Sequence, residues 1–317
     1  MSISTKKILK VSFPLLLGVF LVWYSLSKVS IDELVVYFKE ANYLWVCFGL
    51  LFGILSHLSR AYRWKFMLEP LGYQPKFANS VMAVLVAYLV NYTIPRAGEV
   101  SRAAVMTNYE GIPFEKGFGT IVAERIADLI MMLLMVAITL FVQFDFIYDL
   151  LLKNFDPSKI ILLGIVLILI VAIFIRFIKK AKSGFALKIK TFVGGLVEGV
   201  MSIFKMKKKW PFIFHTLFIW LMYVLMFWAT IPAIDGLEVP IGGVLIGFIA
   251  GGTAIAATNA GVGSYPVAVA LAFALFNIDN DKAFAFGWIM WSAQTAMVIL
   301  FGGLSFLFLP IYNKNKS

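Results

Sequence analysis

Long apolar stretches, separated by short polar segments, run through almost the whole chain. A helix needs about 20 consecutive apolar residues to cross the hydrocarbon core of a bilayer. This pattern predicts about six full transmembrane helices, at 8–26, 43–68, 114–145, 158–178, 209–231 and 282–309. The fold class that follows is an all-α polytopic membrane protein.

Two further apolar segments, 77–110 and 241–277, are interrupted in the middle by helix-breaking residues. These residues are Pro95 and Gly98 in the first segment and Gly261 and Gly263 in the second. Non-helical backbone at membrane depth is tolerated only where it is buried in protein or lines a watery cavity. We therefore expect two re-entrant helical hairpins, which bring the number of membrane-embedded segments to eight. Two extra full spans in place of the first hairpin are the alternative.

The second span is predicted to end at the cytoplasmic surface. Tyr62 and Trp64 near its end are typical of an aromatic belt, which lies where the membrane meets water. The nearby charged residues are Arg60, Arg63, Lys65 and Lys76 against Glu69, which gives 4 − 1 = +3. Positive loops lie on the cytoplasmic side, so these residues are counted as charges of a cytoplasmic loop.

Basic residues elsewhere orient the rest of the chain. The lysines before the first span and after the last one place both termini in the cytoplasm. Segment 176–209 holds ten Lys or Arg residues and one acid, Glu198, which gives 10 − 1 = +9. Apolar residues at helical spacing within it predict an interfacial amphipathic helix at 185–205, with lysines facing anionic headgroups.

These orientations give the order span, span, hairpin, span, which then repeats upside down. The half-repeats are 8–147 and 158–309, within a single membrane domain that covers 1–317. Secondary transporters use such inverted repeats, and broken elements from the two halves meet near the midplane to form the substrate site.

Composition agrees with a membrane protein, since 61% of the residues are hydrophobic and only 14% are charged. The formal net charge of +11 would also suit nucleic acid, but the basic residues flank apolar segments, so no nucleic-acid partner is expected. Cys47 is the only cysteine, which leaves no intramolecular disulfide or cysteine metal cluster. His57 and His215 are interpreted as interior residues, and neither a metal nor a cofactor is expected.

The first hairpin carries charges that favour an anion. Arg96 lies beside the start of a helix, whose free N–H groups attract anions, and Arg102 follows six residues later. We predict that both bind a lipid phosphate, with Asn259 and Tyr265 of the second hairpin as the opposite wall. The alternative is that both arginines pair internally with acids for stability.

Acidic and basic residues near this hairpin predict a second role. Glu99, Glu124, Arg125 and Asp128 are expected to balance charge or to carry a coupling proton, since buried carboxyls take up protons more readily. Fixed pairing of Glu124 or Asp128 with Arg96 or Arg102 is the alternative. The sequence shows no nucleophile with a base, and no hydrolase or ATPase motif, so no catalytic residue is predicted.

Segments 95–102 (PRAGEVSR) and 118–128 (FGTIVAERIAD) resemble the flippase-like transmembrane region of lysylphosphatidylglycerol synthases, the multiple peptide resistance factor family. The resemblance implies a lipid translocase fold. It points to Arg96, Glu99, Arg102, Glu124, Arg125 and Asp128. Those synthases carry a soluble aminoacyl-transferase domain after this region, whereas this sequence ends at Ser317. Synthesis of the aminoacylated lipid is therefore not implied.

The function expected from these features is transport of a phosphate-bearing phospholipid or polyprenyl-linked lipid between membrane leaflets, without enzymatic activity. The alternative is a membrane subunit that presents lipid to a synthase or glycosyltransferase. A third hypothesis is that the protein is a lipid-modifying enzyme. Expected partners are membrane lipids, a second copy of the chain or a cytoplasmic lipid-processing enzyme, in the cytoplasmic membrane of the cell.

Overall fold

The computed structural model describes residues 16, 18–94, 96–154, 156–159 and 206–314, with isolated residues between 162 and 187. All regular structure in these residues is helical, so the predicted all-α class is confirmed. The interfacial helix predicted at 185–205 lies outside the described residues, apart from Leu187. So do much of the span 158–178 and the start of the span 8–26. Residues 18–26 are helical as predicted.

The helices of the described residues after this first segment are numbered in chain order. They are α1 Ile31–Glu40, α2 Tyr43–Leu68, α3 Phe77–Thr93, α4 Gly98–Glu110, α5 Phe114–Val142, α6 Phe144–Asn154, α7 Lys209–Thr230, α8 Ile241–Ala257, α9 Ser264–Ala274 and α10 Asn280–Tyr312. Short 3₁₀ turns extend α2 over Glu69–Leu71 and α7 over Ile231–Ala233. The long helix predicted at 114–145 ends at Val142, and α6 follows it.

Four helical segments of the described chain are long and apolar enough to cross a membrane. They are Tyr43–Leu71, Phe114–Val142, Lys209–Ala233 and Asn280–Tyr312. These segments correspond to four of the six predicted spans. The protein is thus polytopic, as its composition predicts.

The two interrupted segments each form a pair of shorter helices. Helices α3 and α4 pack against each other, as do α8 and α9. Helix α3 has 17 residues and α9 has 11. At 1.5 Å per residue they reach about 25 Å and about 16 Å, less than the ~30 Å of a hydrocarbon core. We call α3–α4 the first hairpin and α8–α9 the second.

Local signals set the helix ends. Asn42 precedes α2, and its side-chain oxygen accepts a hydrogen bond from the N–H of Leu44. The Asp279 carboxylate caps α10 in the same way, by accepting from two backbone N–H groups. Ser30 occupies the cap position of α1, although its side chain makes no capping bond. Capping satisfies backbone donors that a helix leaves unpaired at its start.

The chain divides into two compact units. One contains the residues up to Glu124 and those from Trp210 onward, and the other is Arg125–Lys209. The first unit holds both hairpins and an aromatic core in which Phe227, Phe273 and Phe286 pack together. A Cβ at Gly247 would lie 2.8 Å from the Phe273 ring, so glycine is what allows α8 to approach this core.

Candidate functional site

Three arginines converge on one buried carboxylate in the first unit. Arg60 and Arg63 of α2 lie 2.9 Å and 2.8 Å from the Glu124 Oε1 atom. Arg102 of α4 lies 3.0 Å from the Oε2 atom of the same carboxylate. The Glu124 side chain has no exposed surface, and each arginine side chain is at most 4% exposed. The formal charge of these four side chains is 3 − 1 = +2.

Helix α7 supplies neutral partners to the two arginines of α2. Arg63 donates a hydrogen bond of 2.8 Å from Nη1 to the Thr216 hydroxyl. Arg60 donates from Nη2 to the Tyr223 hydroxyl at 3.3 Å, and that hydroxyl lies 3.5 Å from the Tyr88 hydroxyl of α3. The cluster therefore links α2, α4, α5 and α7, with a polar extension towards α3.

Trp64 of α2 forms the aromatic side of the cluster. The guanidinium carbon of Arg102 lies 3.8 Å from the centre of the indole ring, which is a cation–π contact. The indole N–H donates to the Thr120 hydroxyl of α5 at 2.8 Å. Trp64 is 0% exposed, so the prediction that it belongs to an aromatic belt at the membrane surface is wrong.

Buried ion pairs are costly to desolvate, and losing one partner costs more than the pair contributes. Through its contact with Arg102, Glu124 thus holds α4 against α2. In the structure, Arg102 pairs internally with Glu124, as in the alternative interpretation of the sequence. Arg102 makes this pair although Glu99 lies one helical turn away on α4.

The tip of the first hairpin, at the described residues 94, 96 and 97, presents Arg96 at the surface. Arg96 has a backbone φ of +63°, in the left-handed region that non-glycine residues seldom occupy. Pro95 lies outside the described residues. Glu99 is half-buried in the first turn of α4. Within the described part of the chain, neither Arg96 nor Glu99 makes an ion pair or a side-chain hydrogen bond.

Gly98 is where α4 begins and where it touches α3. Its N–H donates to the Asn91 side-chain oxygen at 2.8 Å. A Cβ on Gly98 would collide with the Ala87 carbonyl oxygen and with the Asn91 amide. The predicted hairpin break at this residue therefore coincides with a contact that only glycine permits.

The tip of the second hairpin, residues 258–263, has left-handed backbone at Ala260, Gly261 and Gly263, with φ of +53°, +76° and +68°. A Cβ on Gly263 would meet the backbone of the N-terminal helix at residues 21–22. The Trp291 indole N–H donates to the Ala260 carbonyl at 2.9 Å. These contacts hold the tip between the N-terminal helix and α10. Tyr265 follows it, is buried, and has its ring against Gly251.

The two tips meet. Asn259 donates from its side-chain nitrogen to the Tyr92 carbonyl oxygen at 3.3 Å. Tyr92 lies in the last turn of α3, where carbonyls lack a partner within the helix. Its hydroxyl lies 3.1 Å from the Thr295 hydroxyl of α10. Of the predicted site residues, Asn259 therefore reaches the first hairpin, four residues before Arg96.

The remaining predicted site residues, Arg125 and Asp128, belong to the second unit. Arg125 Nη2 lies 3.5 Å from the Asp128 carboxylate, one helical turn further along α5. The Arg125 side chain is 42% exposed, so this contact contributes little to stability.

Counting Arg60 and Arg63 as loop charges is wrong, because they are 3% and 0% exposed within α2. The sequence does contain a sign of this burial, because the two arginines are three residues apart in an apolar helix and therefore share a face. The histidines lie in polar and aromatic surroundings: His57 packs against the Tyr88 ring, and His215 Nδ1 lies 2.8 Å from the Ser59 hydroxyl. The described residues contain no group of acidic, Cys or His side chains suited to a metal ion.

The chain belongs to the family described as the lysylphosphatidylglycerol synthase TM region, whose profile matches residues 11–302. It is 28% identical over 125 residues to the UPF0104 membrane protein MJ1595 of Methanocaldococcus jannaschii. That match covers 38% of this chain and 37% of the relative. No solved structure gives a significant match.

A second relative is the glycosyltransferase AglD of Haloferax volcanii, which is 28% identical over 109 residues. The match covers 33% of this chain and 18% of that protein. In both cases the aligned region spans well under half of the curated relative.

Proposed function

We propose that this protein moves a phosphate-bearing lipid, either a phospholipid or a polyprenyl-linked lipid, from one membrane leaflet to the other. The observation that carries the proposal is the junction of the two hairpin tips, where Asn259 binds the Tyr92 carbonyl close to the exposed Arg96 in sequence. Broken helices that meet inside a membrane protein are where secondary transporters bind their substrates. Membership of a lipid-synthase membrane family agrees with a lipid as the substrate.

Arg96 is the proposed contact to the phosphate. It is an exposed cation at the start of α4, where helix N–H groups and the helix dipole also favour an anion. Its left-handed backbone is strained, and strain of this kind concentrates at ligand sites. A guanidinium can hold two phosphate oxygens at once, which suits a headgroup that must be oriented.

Arg102 takes a different role in this proposal from the one that its spacing predicts. It is held by Glu124 and Trp64, so it fixes the position of α4 and thereby of Arg96. Glu124, with three arginines around it, acts as a fixed counter-ion. Tyr265 and Asn259 keep the second tip in place, through the contact with Gly251 and the bond to Tyr92.

The proposal includes the placement of the chain in the membrane. Both hairpins are re-entrant, the two halves have opposite orientation, and both termini face the cytoplasm. The short lengths of α3, α4, α8 and α9 support re-entrance, since none reaches across the hydrocarbon core.

Purified protein in liposomes that contain fluorescent lipids tests the function directly. A membrane-impermeant quencher removes outer-leaflet fluorescence, and translocation exposes the inner-leaflet probe to it. We expect the protein to accelerate the loss for phosphate-bearing lipids and to leave a phosphate-free ceramide probe unchanged. Rates equal to those of protein-free liposomes, with and without an ion gradient, would rule out transport of the lipids tested.

The second candidate is a subunit that presents lipid to a glycosyltransferase. The relative AglD carries that activity in its name, and this chain matches only 18% of it. This function predicts a stoichiometric enzyme that co-purifies with the chain, together with no lipid translocation by the isolated chain. Translocation without any partner would favour the transporter.

A further inference from the structure

The tip of the second hairpin presents oxygen atoms whose protons are already engaged. Thr258 donates its hydroxyl proton to the Ala254 carbonyl at 2.8 Å. The Thr258 and Ser264 hydroxyls lie 2.8 Å apart, so Ser264 must be the donor of that bond. Both hydroxyl oxygens therefore retain lone pairs and have no proton left to donate.

Asn259 adds a third acceptor. Its amide nitrogen donates to the Tyr92 carbonyl, which can only accept, and this fixes which way the amide points. The Asn259 Oδ1 atom is then buried and has no hydrogen-bond partner within the described residues. A buried acceptor without a partner is rare in folded proteins and calls for a donor or a cation.

The backbone at Thr258 favours positive charge, whereas Ser264 begins α9 and lies at the positive end of that helix dipole. Thr258 follows the last residue of α8, where unpaired carbonyls carry the negative end of the helix dipole. Segment 241–277 contains no Asp, Glu, Lys, Arg or His. No carboxylate of the hairpin itself could therefore carry a proton in place of a metal ion.

We propose that the turn from Thr258 to Ser264 binds a monovalent alkali metal cation, with the Asn259, Thr258 and Ser264 side-chain oxygens as ligands. Divalent cations of the hard class prefer carboxylates, which this turn lacks, whereas neutral oxygens suit a singly charged ion. A cation bound here acts on the same Asn259 that holds the first hairpin tip. If the proposed function holds, the ion is the partner that moves with the anionic headgroup.

Thermal unfolding of the purified chain tests the site without any transport. The chloride salts of sodium, potassium and choline are compared at equal ionic strength, with choline as the ion too large to bind. We expect sodium or potassium to raise the unfolding midpoint in a saturable way. The rise is about 2 °C at ten times the half-saturating concentration.

Two variants remove ligands while keeping the bond between Asn259 and Tyr92. Thr258→Val and Ser264→Ala are each expected to raise the half-saturating concentration at least about fivefold, since each loses one oxygen contact. Thr253→Val is the matched control. Thr253 lies on α8, is exposed, and donates its hydroxyl proton to the Ile249 carbonyl.

Equal midpoints in all three salts would overturn the cation site, and a buried water would then be the remaining partner of Asn259. A saturable shift that survives both ligand variants unchanged would overturn it as well. Lipid translocation with no cation effect removes only this inference, whereas a cation effect with no translocation removes only the proposed function.

Discussion

Replacing Glu124 by glutamine removes the charge on which three buried arginines converge. The shape of the side chain is preserved, so the change tests electrostatics rather than packing. The four side chains then carry +3 in place of +2, since the single negative charge is lost. Breaking a buried ion pair by removing one partner costs about 3–5 kcal/mol. For a chain of 317 residues, that loss lowers the unfolding midpoint by about 5–8 °C.

The variants are expected to differ in thermal stability according to the charge that each leaves in the cluster. Arg102→Gln leaves two arginines with one carboxylate, a sum of +1, and therefore destabilises less than Glu124→Gln despite the lost contact with Trp64. Glu115→Gln is the control, because Glu115 is exposed on the same helix, and no change is expected.

Scanning fluorimetry of the three variants in one detergent or lipid mixture measures the order. A midpoint for Glu124→Gln within about 1 °C of the wild type would refute the ion-cluster account, since that corresponds to less than about 1 kcal/mol. The same conclusion follows if Arg102→Gln is the more damaging change.

The remaining predictions concern contacts around the first hairpin. Gly98→Ala forces a Cβ into the backbone of α3 and should cost about 1–3 kcal/mol, whereas Gly119→Ala on α5, with nothing within 4 Å, should not destabilise; the same fluorimetry compares the two. Trp64→Phe keeps a ring against Arg102 but loses the N–H bond to Thr120 and leaves a cavity at a fully buried site, and we expect a loss of about 2–3 kcal/mol. Thr120→Val combined with Trp64→Phe should then add only the loss of the Thr120 bond to the Gly117 carbonyl, because the indole partner is already absent.

The backbone breaks could be predicted from the sequence because proline and glycine act locally. Gly98, Gly261 and Gly263 all lie where one helix gives way to the next, and α2 has the predicted limits. Apolar length alone identified the four long helices. These features depend only on residues that are close together in the sequence.

The arginine cluster could not be predicted in the same way. Its carboxylate lies 61 and 64 positions from the two arginines of α2, and only the folded chain brings them together. Charge counting assigned Arg60 and Arg63 to a loop, because a sum of charges does not register which way a side chain faces. The bond from Asn259 to Tyr92 spans 167 positions, so it too depends on tertiary packing.

The proposal that Arg96 holds the phosphate of a translocated lipid can be tested by comparing two variants in liposomes. Arg96→Asn removes the charge and retains a residue that tolerates left-handed backbone, whereas Arg96→Lys retains the charge. Loss of a charge-assisted contact of about 1.5–3 kcal/mol predicts translocation at least about tenfold slower for Arg96→Asn, with most of the activity kept by Arg96→Lys. Translocation by Arg96→Asn at the wild-type rate, in protein of wild-type thermal stability, would contradict the account.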